Sequence, residues 1–220
     1  RKLRLTEAGT ILHEYVSRGV EEMDSGLLAL SDKEEQIKGR LRLSIPPSFE
    51  PMWRILEDYS ELYPNVDIEV FVSERRLDFI EDGIDIALRI GEVKSETAVA
   101  RQLLIYRHKL VASPEFIAKH PVTSPEDLHT VKVAAWAKHN QTVNWLLGGD
   151  SVTLHPYLTG NDYMHMRYLA LRKKCITELP PFFSQPYLDS GELVEVLPEY
   201  PMPEQSVQLV YPSRKSVSRI

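Results

Sequence analysis

Residues 39–49 read GRLRLSIPPSF, and no other stretch limits the possible folds as much. Leu41, Leu43 and Ile45 alternate with Arg40, Arg42 and Ser44, the period of a half-buried strand. Gly39 stops whatever precedes it, and Pro46-Pro47-Ser48 turns the strand toward a helix that starts near Phe49. A strand running into a helix N-terminus leaves backbone N–H groups without intrahelical partners, and such groups attract a ligand. The stretch is therefore expected to be both a domain boundary and the first wall of a binding site.

Before this boundary, residues 6–38 read as one long helix. Thr6 is a good N-cap, and Glu7 in the first turn suits the helix dipole. Leu12, Val16, Gly19, Met23, Gly26 or Leu27, and Leu30 recur at close to a 4-3-4-3 spacing, flanked by Glu14, Arg18, Glu21, Glu22 and Asp24. A heptad seam and a plain amphipathic helix both fit this pattern. The stripe is too narrow for a full core face, which favours the seam and a partner chain.

After the boundary the chain alternates strands and helices. Strand 41–45 leads to a helix over 49–63, with Phe49, Met52, Trp53, Leu56, Tyr59, Leu62 and Tyr63 on its apolar face. Strand 66–72, a short helix over 76–82 closed by Gly83, and strand 84–90 follow. This βαβαβ order implies parallel strands with right-handed crossovers. Further strands are expected over 99–103, 109–112, 131–136, 152–158, 176–179, 193–197 and 207–211. Ser113 and Ser124 start short helices, and Asn161 or Asp162 caps a longer one reaching about Arg172. Two α/β halves suggest two lobes around a cleft, with ligands outside the carboxyl ends of the strands. Candidate walls are Pro47, Ser48 and Phe49; Ser73 after the second strand; Arg89 and Ile90 at the end of the third; and Asn161 and Asp162. Arg89 could hold an anion bidentately.

The totals exclude several classes. A formal net charge of −6 argues against the whole chain being a nucleic-acid surface. No apolar run reaches the length of a membrane span, and no leader pattern opens the sequence. A single cysteine, Cys175, allows no internal disulfide and fits a reducing cytoplasm. No nucleophile elbow, P-loop, dinucleotide fingerprint or paired metal-ligating histidines occur, so neither catalysis, a cofactor nor a metal is expected. Lys173 and Lys174 beside Cys175 would favour a thiolate, but a plain buried thiol is the better reading. Trp53, Trp136 and Trp145 read as core.

Several runs resemble one family in order along the chain. Residues 1–9 (RKLRLTEAG) resemble the wing and linker-helix start of LysR-type transcriptional regulators. Gly39-Arg40-Leu41-Arg42-Leu43-Ser44 resembles the start of their effector-binding domain, and Tyr63-Pro64-Asn65-Val66 a later step in it. Residues 78–91 (DFIEDGIDIALRIG) are similar to the family's most recognisable run; residues 110–116 and 190–194 are also close.

The resemblance implies a two-lobed, periplasmic-binding-protein-like (type 2) α/β domain behind a long linker helix. Residues 1–5 would be a remnant of the DNA-binding wing, with Arg1, Lys2 and Arg4 on phosphate. Residues 6–38 would be the dimerisation helix, and 39–220 the effector-binding domain, with lobe I over 39–112 and 207–220 and lobe II over 113–206. The implied partners are double-stranded DNA, a small-molecule effector, and further copies of the chain as homodimer or homotetramer; Trp136 is a further candidate effector contact. The alternative is a solute-binding protein of the same fold. One departure concerns the second lobe. Lys173 and Cys175 stand where the family usually has glycines, and Glu178 stands where it has an apolar residue.

Overall fold

The computed structural model describes Thr6, Ala8, Gly9, Leu12, Tyr15, Val16, Gly19, Arg75, Phe79, Val93 and residues 37–73, 82–91, 98–137 and 142–212. Among the N-terminal ones, Thr6 Oγ1 accepts the Gly9 N–H at 3.1 Å, as an N-cap should. Ala8, Gly9, Leu12, Tyr15, Val16 and Gly19 are helical. Leu12 and Val16 are 65% and 55% exposed. Arg1, Lys2, Arg4, Met23, Leu27 and Leu30 lie outside the described residues, as does most of the helix expected over 76–82.

The first sheet has the order β2-β1-β3-β12-β4. β1 (Gly39–Ile45) pairs in parallel with β2 (Val66–Val72), Gly39 facing Val66 and Ile45 facing Val72, and with β3 (Ile86–Ile90). β12 (Glu204–Pro212) joins antiparallel to β3 and to β4 (Ala98–Arg107), so the sheet is mixed. Helix α1 (Pro51–Leu62) follows β1. Leu41, Leu43, Ile45, Phe49, Met52, Val66, Leu88 and Val207 form one core. The alternation expected for β1 holds on that face. On the other face Arg40 and Arg42 both pair with Glu69, but Ser44 is fully buried. Trp53 and Leu62 point outward, 56% and 68% exposed, leaving Met52, Leu56, Tyr59 and Tyr63 to cover the sheet.

The second lobe repeats this plan. β6 (Ala134–Trp136) runs parallel to β9 (Leu158–Gly160), and a parallel bridge from Val133 to Ile176 links β6 to β10 (Thr177–Leu179). β5 (Lys109–Ala112) lies antiparallel between β10 and β11 (Val194–Val196). Three parallel strands followed by two antiparallel ones is the order of the first sheet, although the two halves share no sequence repeat. β5 therefore belongs to the second lobe, and the first crossover sits at His108 instead of beyond Ala112. Side chains alternate along β5: Leu110 and Ala112 enter one core with Phe116, Leu128 and Trp145. Val111 enters the other with Met166, Leu179 and Phe183.

The remaining elements are α2 (Pro114–Lys119), a 3-10 turn (Pro125–His129), the hairpin β7 (Val143–Leu147) to β8 (Asp150–Leu154), α3 (Tyr163–Leu171) and α4 (Pro181–Asp189). Ser113 caps α2 by accepting the Phe116 N–H. Gly148 and Gly149, at φ of 63° and 100°, make the two-residue turn of the β7–β8 hairpin. Helix α4 begins at the Pro-Pro pair that reads as a strand stop, with Pro181 in the first turn, where its missing N–H is harmless. Helix α3 ends in a Schellman motif. Lys174 N–H reaches Leu169 O and Lys173 N–H reaches Ala170 O, which puts Lys173 at φ 63°.

Candidate ligand-binding site

The carboxyl ends of the parallel strands in both lobes meet at one gap. Pro46, Pro47 and Phe49 come from the turn after β1, Ile90 from the end of β3, and Trp136 from the end of β6. Asn161, Asp162 and Tyr163 open α3, and Pro180, Phe182 and Phe183 open α4. The candidates Pro47, Phe49, Ile90, Trp136, Asn161 and Asp162 are thus brought together from positions far apart in sequence.

Ser48, Ser73 and Arg89 are not part of the lining. Ser48 takes a left-handed conformation at φ 53°, which lets the backbone turn sharply into α1. Ser73 donates its N–H to Ile45 O, and its Oγ accepts the Arg75 N–H. Arg89 turns toward β1: its guanidinium bonds Ser44 Oγ at 3.0 Å and the carbonyls of Ser44 and Leu88. Burial at this position holds its pKa below the ordinary arginine value. Arg89 satisfies the buried Ser44 and does not present an anion clamp.

Among the described lining residues none is cationic. Asp162 Oδ1 accepts the Met164 N–H at 2.9 Å, so the α3 N-terminus is capped by its own carboxylate. Apart from Asn161, the rest of the wall is apolar or aromatic: Phe49, Trp136, Tyr163, Phe182 and Phe183, with Ile90 and three prolines. Trp136 and Tyr163 stack with centroids 6.3 Å apart and an interplanar angle of 22°. Phe49 meets Phe182 edge-on at 5.2 Å, joining the two lobes directly. A second bridge lies beside it. Glu50, at the N-cap of α1, pairs with Arg167 of α3 at 3.5 Å, and Arg167 lies over the rings of Phe183 and Tyr187 at 5.4 and 5.3 Å. With these contacts made, the gap encloses about 30 Å³, room for one or two waters.

This architecture, with a ligand gap at the strand ends of two like lobes, coincides with a family match over residues 34–219, to the LysR substrate binding domain. The chain belongs to this family. An HTH-type transcriptional regulator of Haemophilus influenzae, itself uncharacterised, is 25% identical over 222 residues, 98% of this chain and 77% of that protein. CrgA from Neisseria meningitidis, a LysR-type transcriptional regulator, superposes with a TM-score of 0.75 at 26% identity, covering 98% of this chain and 76% of CrgA. The Vibrio cholerae virulence activator AphB gives 0.74 at 26% identity, covering 97% and 76%. The chain carries the effector-binding portion of a LysR-type regulator, as the resemblance implied, and the solute-binding alternative falls behind it.

Sequence reasoning missed Pro46, Tyr163, Pro180, Phe182 and Phe183 as lining residues of this LysR-type domain. The readable signal for the last three was a proline pair at a helix N-terminus followed by two aromatics. Of the family departures, Lys173 adopts the left-handed conformation that glycine favours. Cys175 is fully buried, and burial pushes its thiol up to about 11. That is the environment of a plain buried thiol and not of a reactive one.

Proposed function

We propose that this LysR-type chain senses a small, largely apolar effector in the gap between its lobes and passes the signal to DNA through a dimer. One observation carries the reading: the strand ends of both lobes converge on one aromatic-lined gap whose described walls hold no cation. The anionic effector expected from Arg89 gives way to a flat, apolar one with a single polar group for Asn161. Phe49, Trp136, Tyr163 and Phe182 are its contacts, with Pro47, Ile90 and Asp162 around them. An effector larger than a few waters must part the Phe49–Phe182 and Glu50–Arg167 contacts, so its binding favours separated lobes. Lobe separation changes how protomers pack and how paired DNA-binding domains meet their half-sites.

Leu12, Val16, Met23, Leu27 and Leu30 would form the dimerisation seam, a reading supported by the exposure of Leu12 and Val16. Arg1, Lys2 and Arg4 add phosphate contacts that give affinity without sequence choice. The protein works in the cytoplasm as a homodimer or homotetramer and catalyses nothing. Among the described residues no helix is long and apolar enough to cross a membrane.

The test is a thermal-shift screen of small aromatic alcohols, amides and carboxylates against the purified chain. Compounds that raise the melting temperature are then retested on Asn161→Ala and Phe49→Ala. Loss of the shift in both variants, with the dimer intact by light scattering, supports the site. Full retention of the shift in both removes it.

A further inference from the structure

The first crossover between the lobes carries two polar side chains whose ends are buried without a hydrogen bond. Tyr106, near the end of β4, packs against the first lobe's core, and His108 follows at the junction with β5. Neither Tyr106 Oη nor His108 Nε2 has a hydrogen-bond partner among the described residues. Burial pushes the Tyr106 hydroxyl up to about 12, so it keeps its proton at any working pH.

The second lobe supplies part of the cover. Phe182 of α4 meets Tyr106 edge-on at 5.6 Å, and Tyr163 of α3 lies 5.3 Å from His108. Both of these rings line the gap. Phe182 also meets Phe49, which shares the first lobe's core with Tyr106. Parting Phe49 from Phe182 therefore draws Phe182 away from Tyr106 as well. A phenyl ring at position 106 would keep the contacts to Phe182 and to His108, the latter at 5.5 Å. In the closed domain the hydroxyl adds only the cost of a polar group held in the interior without a partner.

We propose that the Tyr106 hydroxyl opposes closure of the domain: it destabilises the closed form, and parting of the lobes relieves it by admitting water. It acts against the Phe49–Phe182 and Glu50–Arg167 contacts and holds the two forms near balance. A modest difference in effector affinity between them then suffices to shift the population. The inference rests on the reading that the lobes part at the gap, but it requires no effector.

Tyr106→Phe removes the hydroxyl and keeps the ring. Amide exchange of the effector-free chain is followed at residues 49–53, with the β6 amides reporting global unfolding. In the natural sequence residues 49–53 should exchange faster than β6, through lobe opening. In Tyr106→Phe their exchange should slow about fivefold or more, the scale of one unsatisfied buried hydroxyl. Residues 49–53 exchanging no faster than β6 in the natural sequence would remove lobe opening itself, and this proposal with it. Faster exchange there than at β6, but unchanged or quickened by Tyr106→Phe, overturns this proposal alone, even where β6 slows. Failure of Tyr106→Phe to fold also overturns it, because the hydroxyl would then be needed in the closed form.

Discussion

Glu178 should make the protein less stable as pH rises, opposite to the effect of an ordinary salt-bridged carboxylate. Burial pushes its carboxyl up from 4.5 to about 8, against smaller opposing effects of the Trp136 N–H, its own backbone N–H and the Trp145 side chain. Between those values the folded state holds a proton that the unfolded state has released. The stability is therefore fully present below about pH 4.5 and is lost as pH rises toward 8. At 1.36 kcal/mol per pH unit the whole loss approaches ~5 kcal/mol, an upper bound. His108 works in the other direction. Its pKa falls from 6.5 to about 4 because burial disfavours the imidazolium, so its contribution is present above 6.5 and lost as pH falls through 4. The two slopes cancel between about 4.5 and 6.5. Above 6.5 only Glu178 acts, and stability should fall by ~2 kcal/mol by pH 8. Urea unfolding of the natural sequence and of Glu178→Gln, across pH 5 to 8.5, isolates the effect, because His108 is common to both. The difference in unfolding free energy should move in favour of the glutamine variant by several kcal/mol across this range. A difference constant within ~0.5 kcal/mol, about the precision of the extrapolation, would refute the burial argument.

Three further outcomes follow from single contacts. Lys173→Gly should raise the stability by ~0.5–1 kcal/mol, because it removes a left-handed side chain at the α3 C-terminus. The ion pair it sacrifices, to Glu115 at 2.8 Å with both side chains more than half exposed, is worth little; a lower melting temperature would contradict this. Arg167→Met should loosen the lobes by ~1–2 kcal/mol, and amide exchange at residues 49–53 should quicken about tenfold; unchanged exchange would show that Phe49–Phe182 alone closes the gap. Cys175 should react with a thiol reagent at least a hundredfold more slowly in the folded protein than in urea, and comparable rates would mean that its pocket opens readily.

The sheets were legible because their information is local. Alternation in β1 and the turn chemistry at Pro46-Pro47 belong to neighbouring residues, and both appear where expected. Tertiary pairing was less visible. β4 extends to Arg107 because β12 runs along it, a pairing that joins distant segments. Helix α4 was hidden by prolines. Pro180-Pro181 signals a strand end as readily as a helix start, and Pro186 inside the helix argues against helix altogether. Three lining residues disappeared with it. Arg89 shows a second limit. Its position at a strand end pointed to a ligand, but its guanidinium had a nearer obligation in Ser44 Oγ, which only the packing of β1 against β3 creates. Glu178 was noticed as a departure, but alternation alone could not tell that it is buried and accepts the Trp136 N–H.

If the gap is the effector site, as proposed, its closure constrains how an effector works. A site enclosing about 30 Å³ cannot admit a drug-sized compound without parting the lobes. The contacts that close it therefore compete with the effector, and their strength sets its apparent affinity. If Glu50–Arg167 and Phe49–Phe182 favour the closed form by ~1.4 kcal/mol, only about a tenth of the molecules are open and the apparent affinity is about tenfold below the intrinsic one. Loosening the latch should then tighten effector binding while leaving every effector contact in place. Arg167→Met removes the Glu50 bridge and the cation over Phe183 without changing a lining residue, whereas Asn161→Ala changes the lining but not the latch. Opposite changes in affinity for these two variants would be the signature of an effector that binds by opening the domain. A loss in both would place Arg167 among the groups that hold the effector itself.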